Sequence, residues 1–210
     1  LQFRFGGQQA ESDANAAFFL FAFIVGIFLM SILLMVQLNS FYQVFIIVSA
    51  VVLSTYGVQL GLLVTQQISS ALFTSLGVIA LAGIVVNNNI VLVDTYNVIT
   101  KENPNLSREQ IVIRTAAQRL RPIILTTATT VIGLLPLASG IGVDFYQRNI
   151  EIGGRVSEWW QPMSFAVVCG LTFASAITLF LTPCWLMLPE AIRKTFRQVR
   201  KSFLKTASER

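Results

Sequence analysis

Hydrophobic and polar positions along this chain alternate in long blocks rather than on the faces of amphipathic elements. Five blocks rich in Leu, Ile, Val, Phe and Ala cover residues 17–38, 42–64, 71–95, 122–138 and 163–188. A helix needs about 20 residues to cross a hydrocarbon layer of roughly 30 Å, and the blocks approach or exceed that length. The pattern predicts an all-α membrane protein with five transmembrane helices.

The charged residues lie between these blocks and predict which side of the membrane each loop faces. Only 12% of the residues are charged, against 54% hydrophobic, and the formal net charge is +5. Seven of the 15 Lys and Arg residues lie in the tail 193–210, and five more lie between the third and fourth blocks. Loops rich in Lys and Arg stay in the cytoplasm. We therefore place the 96–121 loop and the tail in the cytoplasm and the N-terminus outside, and this distribution explains the charge without nucleic acid.

The segments outside the blocks complete the predicted domain organisation, and we expect the chain to be part of a longer protein. Residues 1–16 are polar and lack the pattern of a signal peptide. An amphipathic run with Asn105 or Ser107 as its cap predicts a short helix along the membrane surface. The segments are the end of an external, periplasmic region (1–16), the transmembrane bundle (17–188), the cytoplasmic surface helix (about 106–119), the periplasmic loop (139–161) and a basic cytoplasmic tail (189–210).

Glycine, proline and cysteine add local predictions to this organisation. Gly57 and Gly61 form a small-xxx-small pair that favours close helix packing. Pro122 is expected in the first turn of the fourth helix, and a break is expected at Pro183. With two cysteines, both in the last block, and no histidine, we expect neither a disulfide framework nor a metal site.

The stretch "GIVVNNNIVLVD" places three consecutive asparagines, Asn87, Asn88 and Asn89, inside the third block. An amide without a hydrogen-bond partner in hydrocarbon costs on the order of several kcal/mol. Successive helix positions point about 100° apart, so the triplet spans roughly 200° of the circumference. No single neighbour can satisfy all three, and we expect this helix to be central in a larger bundle.

Two readings of the triplet are open, namely hydrogen bonding between helices and the lining of an ion or proton path. The neighbouring polar residues favour the second reading. Thr126, Thr130 and Gly133 share one face of the fourth helix, and Arg119 lies seven residues before Thr126. Arg119 also fits a simple positive-inside flank residue, and Asp94 lies close to the cytoplasmic edge.

The same residues carry a family resemblance that covers nearly the whole chain. "GIVVNNNIVLVD" followed by "AAQRLRPIILTTATTVIGLLPLA" resembles two late membrane helices of the resistance-nodulation-division (RND) efflux transporters, in the hydrophobe/amphiphile efflux branch. The five blocks would then be helices 8 to 12, the C-terminal part of a twelve-helix bundle. Many members have a lysine at the position of Asn87, an asparagine at that of Asn88, an arginine at that of Arg119 and a threonine at that of Thr126.

The resemblance implies a proton-driven pump that exports drugs and needs no bound cofactor beyond the proton gradient. In the family these residues join two aspartates on the fourth helix, which this chain does not include, in a proton relay. The implied partners are the N-terminal half of the same transporter, two further copies in a homotrimer, a periplasmic adaptor protein and an outer-membrane channel, in the bacterial inner membrane. The relay candidates are Asn87, Asn88, Arg119 and Thr126, with Asn89, Asp94 and Thr130 as secondary candidates.

The asparagine at position 87 departs from the family pattern because it cannot carry a charge. A countercharge for a deprotonated aspartate would then come from Arg119 or from elsewhere. A second hypothesis is a non-drug component for lipid or protein export with the same helical fold. An intramembrane enzyme is the third and least favoured, since the sequence has no histidine and no GxSxG-like turn.

The charge pattern predicts the topology of the complete protein. Single cysteines placed within 99–110 and within the tail 193–210 are expected to react only with reagents applied from the cytoplasm. Cysteines within 140–158 are expected to react only from outside. Labelling of the tail from outside in intact cells would contradict the five-span topology.

Overall fold

Five long helices and one short hairpin make up the structure, a computed structural model that describes residues 8–66, 70–144 and 149–208. Each helix contains an apolar segment long enough to span a membrane, which confirms the predicted all-α membrane fold. The elements in chain order are α1 (Gln8–Leu38), α2 (Phe41–Thr65), α3 (Ala71–Glu102), α4 (Arg108–Ala138), β1 (Ile141–Asp144), β2 (Asn149–Ile152) and α5 (Arg155–Ser208).

Polar residues end α1 and begin α2 and α4. Asn39 adopts the left-handed conformation with φ 48°, which asparagine tolerates better than most residues, and Ser40 accepts a hydrogen bond from the Gln43 backbone N–H. Ser107 begins α4 in a capping box with Gln110. The prediction of a cap at Asn105 or Ser107 is therefore confirmed for Ser107.

Helix α5 lies at the centre and packs against α2, α3 and α4, while α1 packs against α3 and α2. We call the end of the bundle that contains the 103–107 connection the basic end, and the end that contains β1 and β2 the hairpin end. At the basic end a separate apolar cluster, which includes Leu92, Tyr96 and Leu186, joins α3 to α5 and α4. In their apolar segments α2, α3 and α5 are 39–44% buried, but α1 and α4 only 6%. The flanks of α1 and α4 are therefore open.

Glycines let α5 approach its neighbours closely. A Cβ on Gly57 would lie 2.6 Å from the Cβ of Phe173, and a Cβ on Gly77 would lie 2.8 Å from the backbone oxygen of Met163. Gly61 packs in the same way against Cys169. The favoured packing role of the Gly57 and Gly61 pair is thus confirmed.

Two helices continue through prolines where the sequence favoured a start or a break. Pro122 lies in the interior of α4 rather than in its first turn, so the predicted surface helix about 106–119 and the fourth span form one continuous helix. Ile111 and Ile123, buried on either side of Pro122, hold both halves against the same cluster. α5 likewise runs through Pro183 without ending. Membrane helices tolerate proline because neighbouring helices and local adjustments compensate for the lost hydrogen bond.

The structure also moves the ends of several predicted segments. α1 begins at Gln8, inside the segment 1–16 that we assigned to the external region, and α3 continues to Glu102. The predicted loop 139–161 contains the antiparallel pair β1 and β2 and the first turns of α5. Trp159 and Trp160 belong to α5 and pack against Phe73 of α3, with ring centroids 6.5 and 5.8 Å apart. In the tail, residues 189–208 are helical and continue α5.

The close approach of α2 to α5 predicts that Gly57→Ala destabilises the protein. The added methyl group would overlap Phe173, and overpacking costs about 1–3 kcal/mol. We expect a lower midpoint of thermal unfolding for the purified protein in detergent. Gly26→Ala is the matched control, because its Cβ would meet nothing within 4 Å. Equal midpoints for the two variants would contradict this packing.

Candidate functional site

The three asparagines of α3 point in three different directions, as their spacing predicts. Asn89 is fully buried, Asn88 is half-buried and Asn87 is exposed. This order follows the helix rotation of about 100° per residue. The three amides therefore have separate surroundings.

Asn89 joins α3 to α5 through a buried hydrogen-bond network. Its Nδ2 donates to the Val85 carbonyl at 3.0 Å and to Thr178 Oγ1 at 3.3 Å, and Thr182 Oγ1 donates to its Oδ1 at 3.0 Å. Thr178 and Thr182 are four residues apart and so lie on one face of α5. The Asn89 amide is thus satisfied on both its nitrogen and its oxygen inside the bundle.

Asn88 lies between α3, α4 and α5 in a gap too narrow to hold a water molecule. The gap is lined by Asn88 together with Val85, Ile123, Leu171, Ala174, Ser175 and Thr178. Within the described ranges the Asn88 side chain makes no hydrogen bond. Its amide is consequently a polar group with unused donors and acceptors next to an apolar core.

The exposed side of α3 carries Asn87 and Asp94 on one stripe, which we call the open polar face. Its members recur every three or four residues and are Ala80, Gly83, Asn87, Val91, Asp94 and Val98. A Cβ at Gly83 would meet nothing within 4 Å. Neither Asn87 nor Asp94 has a hydrogen bond or ion pair with the part of the chain that the structure describes. The open polar face thus combines two polar side chains, Asn87 and Asp94, with small or aliphatic residues.

Arg119 of α4 reaches back to α3 rather than to the other relay candidates. Its Nε donates to Thr95 Oγ1 at 2.5 Å, and Thr95 Oγ1 donates in turn to the Val91 carbonyl at 2.7 Å. Arg119 is half-buried and Thr95 is buried. Thr95 comes seven residues after Asn88, so the two share a face of α3 and lie about 10 Å apart along its axis. The structure thus places Arg119 on the α3 face that carries Asn88.

Thr126 and Thr130 are not brought into contact with the other candidates. Thr126 Oγ1 donates to the Ile123 carbonyl at 3.0 Å, and Thr130 Oγ1 donates to the Thr126 carbonyl at 2.8 Å. Both hydroxyls are therefore occupied by their own helix. Thr127 of α4, in contrast, bonds to another helix, since its Oγ1 lies 2.7 Å from Ser175 Oγ of α5.

Sequence reasoning missed the threonines that bind the candidates, Thr95, Thr178 and Thr182. Two hydroxyls four residues apart in the fifth span were a usable signal for a partner of a buried amide. Thr95 gave no such signal, since a threonine near the end of a span usually bonds its own backbone. A further polar contact, between Gln43 and Asn97, fixes α2 to α3 with reciprocal bonds of 2.6 and 3.0 Å.

A groove of about 340 Å³ lies between α1, α2 and α3, toward the hairpin end. Its wall combines Phe19, Phe23 and Val78 with the polar side chains of Gln59 and Ser75. None of the seven relay candidates lines it. The candidate residues and this groove are separate features of the bundle.

Comparison with known proteins places the chain within one transporter family. The profile of the AcrB/AcrD/AcrF family matches residues 1–189. The multidrug resistance protein MdtC of Citrobacter koseri is 32% identical over 126 residues, which are 60% of this chain and 11% of MdtC. The swarming motility protein SwrC of Bacillus subtilis is 29% identical over 178 residues, which are 85% of this chain and 16% of SwrC.

Solved structures agree with the sequence comparison. The crystal structure of a heavy metal efflux pump, in its crystal form I, superimposes with a TM-score of 0.64 and 29% identity. The match covers 88% of this chain and 17% of the pump. The chain thus spans only 11–17% of the length of these proteins. With the family profile covering most of its residues and five apolar helices in the matching fold, the chain belongs to the AcrB/AcrD/AcrF family and forms transmembrane helices of an RND efflux transporter.

Proposed function

We propose that the chain is the C-terminal transmembrane part of a proton-driven RND pump that exports drugs and other hydrophobic compounds from the periplasm. The observation that carries this proposal is the open polar face of α3, with Asn87 and Asp94 uncovered, beside an arginine held on the neighbouring face. Polar groups inside a membrane concentrate where ions or protons pass. The names of the MdtC relatives support the substrate class.

Arg119 supplies the permanent positive charge in the proposed mechanism. A guanidinium stays protonated at working pH, so it stabilises an ionised carboxylate without releasing a proton itself. Its Nε is occupied by Thr95, whereas the four N–H groups on its two terminal nitrogens have no partner among the described residues. These groups are free to bind a carboxylate from the rest of the transporter.

The asparagines have distinct roles in this mechanism. Asn87, on the open polar face, and Asn88, with its unused amide, orient the proton path by hydrogen bonding. Asn89 maintains the rotation of α3 through Thr178 and Thr182. Asp94, also on the open polar face, and Thr126 and Thr130, on the open flank of α4, complete the polar surface that faces the N-terminal half.

The assembly that we propose follows the family. The chain would pack against the N-terminal half of the same transporter, which supplies two aspartates, within a homotrimer in the bacterial inner membrane. A periplasmic adaptor and an outer-membrane channel would complete the export path. The proton gradient would supply the energy, without a bound cofactor.

A second candidate is a non-drug component for lipid or protein export on the same fold. The name of SwrC connects that relative with swarming motility, and SwrC aligns over more of this chain than MdtC of Citrobacter koseri does. Transport assays with hydrophobic dyes and with fluorescent lipids separate the two candidates. Export of lipid but of no dye would favour the second.

Arg119→Ala is expected to abolish proton-driven export by the full-length transporter. Loss of the fixed charge removes the group that keeps a partner carboxylate ionised, and we expect at least a tenfold lower initial rate of dye export in proteoliposomes under a pH gradient. Arg121→Ala is the matched control, because Arg121 lies on the same helix and is exposed. Substantial export by Arg119→Ala at normal expression would show that Arg119 is only a topology residue.

Substitutions at Asn87 and at Asn89 are expected to impair the transporter in different ways: the first lowers export and the second lowers stability. Asn87→Leu should lower the export rate strongly while expression and thermal stability stay normal, because Asn87 has no partner among the described residues. Asn89→Leu should lower thermal stability, since it leaves Thr178 and Thr182 without their buried partner at a cost of about 1–3 kcal/mol. A stable Asn89→Leu protein with no export, or an unstable Asn87→Leu protein, would reverse these assignments.

A further inference from the structure

The hydrogen bond between Arg119 and Thr95 joins the proposed fixed charge on α4 to a hydroxyl of α3 that is not among the seven relay candidates. We propose that Thr95 is a positioning residue, which fixes the Arg119 guanidinium in the orientation needed for proton coupling. The proposal rests on the proposed function, in which Arg119 is the fixed positive charge. The proposal adds Thr95 of α3 to the residues that take part in proton coupling.

The Thr95 hydroxyl is itself held in one orientation. It donates its proton to the Val91 carbonyl at 2.7 Å, so a lone pair of the same oxygen is left for Arg119. Thr95 is only 7% exposed, which leaves little room for water to replace either partner. A hydroxyl that donates to its own helix and accepts from the next is a fixed acceptor rather than a rotating one.

The bond at Nε restrains the plane of the guanidinium group. Nε belongs to the planar group, so a hydrogen bond from Nε to a fixed acceptor restrains the plane in which the two terminal nitrogens lie. Those nitrogens remain available for a carboxylate, which an arginine binds with a bidentate geometry. A charge that is held in place before its partner arrives loses less rotamer freedom on binding.

Arg121 provides a comparison, because it lies near Arg119 on α4 but has no hydrogen bond with the described residues. Two residues further along α4, Arg121 is exposed, whereas Arg119 is half-buried against α3. Long basic side chains near the end of a span tend to extend toward water. The bond to Thr95 keeps Arg119 on the face that carries Asn88 instead.

Thr95→Val tests the proposal in the full-length transporter, since valine keeps the shape of threonine and removes the acceptor. We expect the maximal rate of dye export in proteoliposomes to fall at least fivefold, while the substrate concentration at half-maximal rate stays unchanged. Thr95→Ser, which keeps the hydroxyl, should stay within twofold of wild type. Thr100→Val is the matched control, because Thr100 lies on α3 and its hydroxyl donates only to the Tyr96 carbonyl, at 2.6 Å.

The outcomes separate this proposal from the proposed function. Export at the wild-type rate by Thr95→Val, with Arg119→Ala inactive, would overturn the positioning role alone. Export by both variants would overturn the relay that contains Arg119. Equal losses in Thr95→Ser and Thr95→Val would show that packing matters rather than the hydroxyl, and would also overturn the positioning role. If Thr95→Val assembles poorly, Thr95→Cys, whose sulfur is a weak acceptor, is measured with the same expectations.

Discussion

The buried amide of Asn89 is the constraint on which the arrangement of this bundle depends. An unsatisfied amide at that depth would cost several kcal/mol, and Thr178 and Thr182 satisfy it from α5. These bonds fix the rotation of α3 about its own axis. Once Asn89 faces α5, helical geometry directs Asn88 toward the gap beside α4 and leaves Asn87 on the outside.

Close helix contacts at glycines reinforce this arrangement. Gly57 and Gly77 allow α2 and α3 to approach α5 at Phe173 and Met163, and α5 also packs against α4. Small residues replace the hydrophobic driving force that is missing between helices in lipid. The relay candidates that remain exposed lie on α3, as Asn87 and Asp94, and on α4, as Thr126.

The block pattern predicted the number of helices, and local chemistry predicted a cap at Asn105 or Ser107, of which Ser107 is the one observed. The spacing of the triplet also predicted that its amides need several neighbours. Which asparagine is buried could not be predicted, because periodicity gives the angles between residues on a helix but not the rotation of that helix in the bundle. The continuity of α4 through Pro122 depends on Ile111 and Ile123 packing in one cluster, and the bond from Arg119 to Thr95 joins residues 24 positions apart. The continuity of α4 and the bond from Arg119 to Thr95 both depend on contacts between distant parts of the chain, which local sequence propensity does not describe.

Our account of function is that α3 presents one wall of a proton path, with Arg119 as its fixed charge, and that the rest of the transporter supplies the carboxylates. An experimental structure of the full-length transporter in a lipid nanodisc tests this most directly. We predict that a carboxylate from the N-terminal half lies within hydrogen-bond distance of a terminal nitrogen of Arg119 or of the Asn87 or Asn88 amide, while Asn89 keeps its bonds to Thr178 and Thr182. An open polar face turned toward lipid, with no carboxylate near Arg119, would contradict the account.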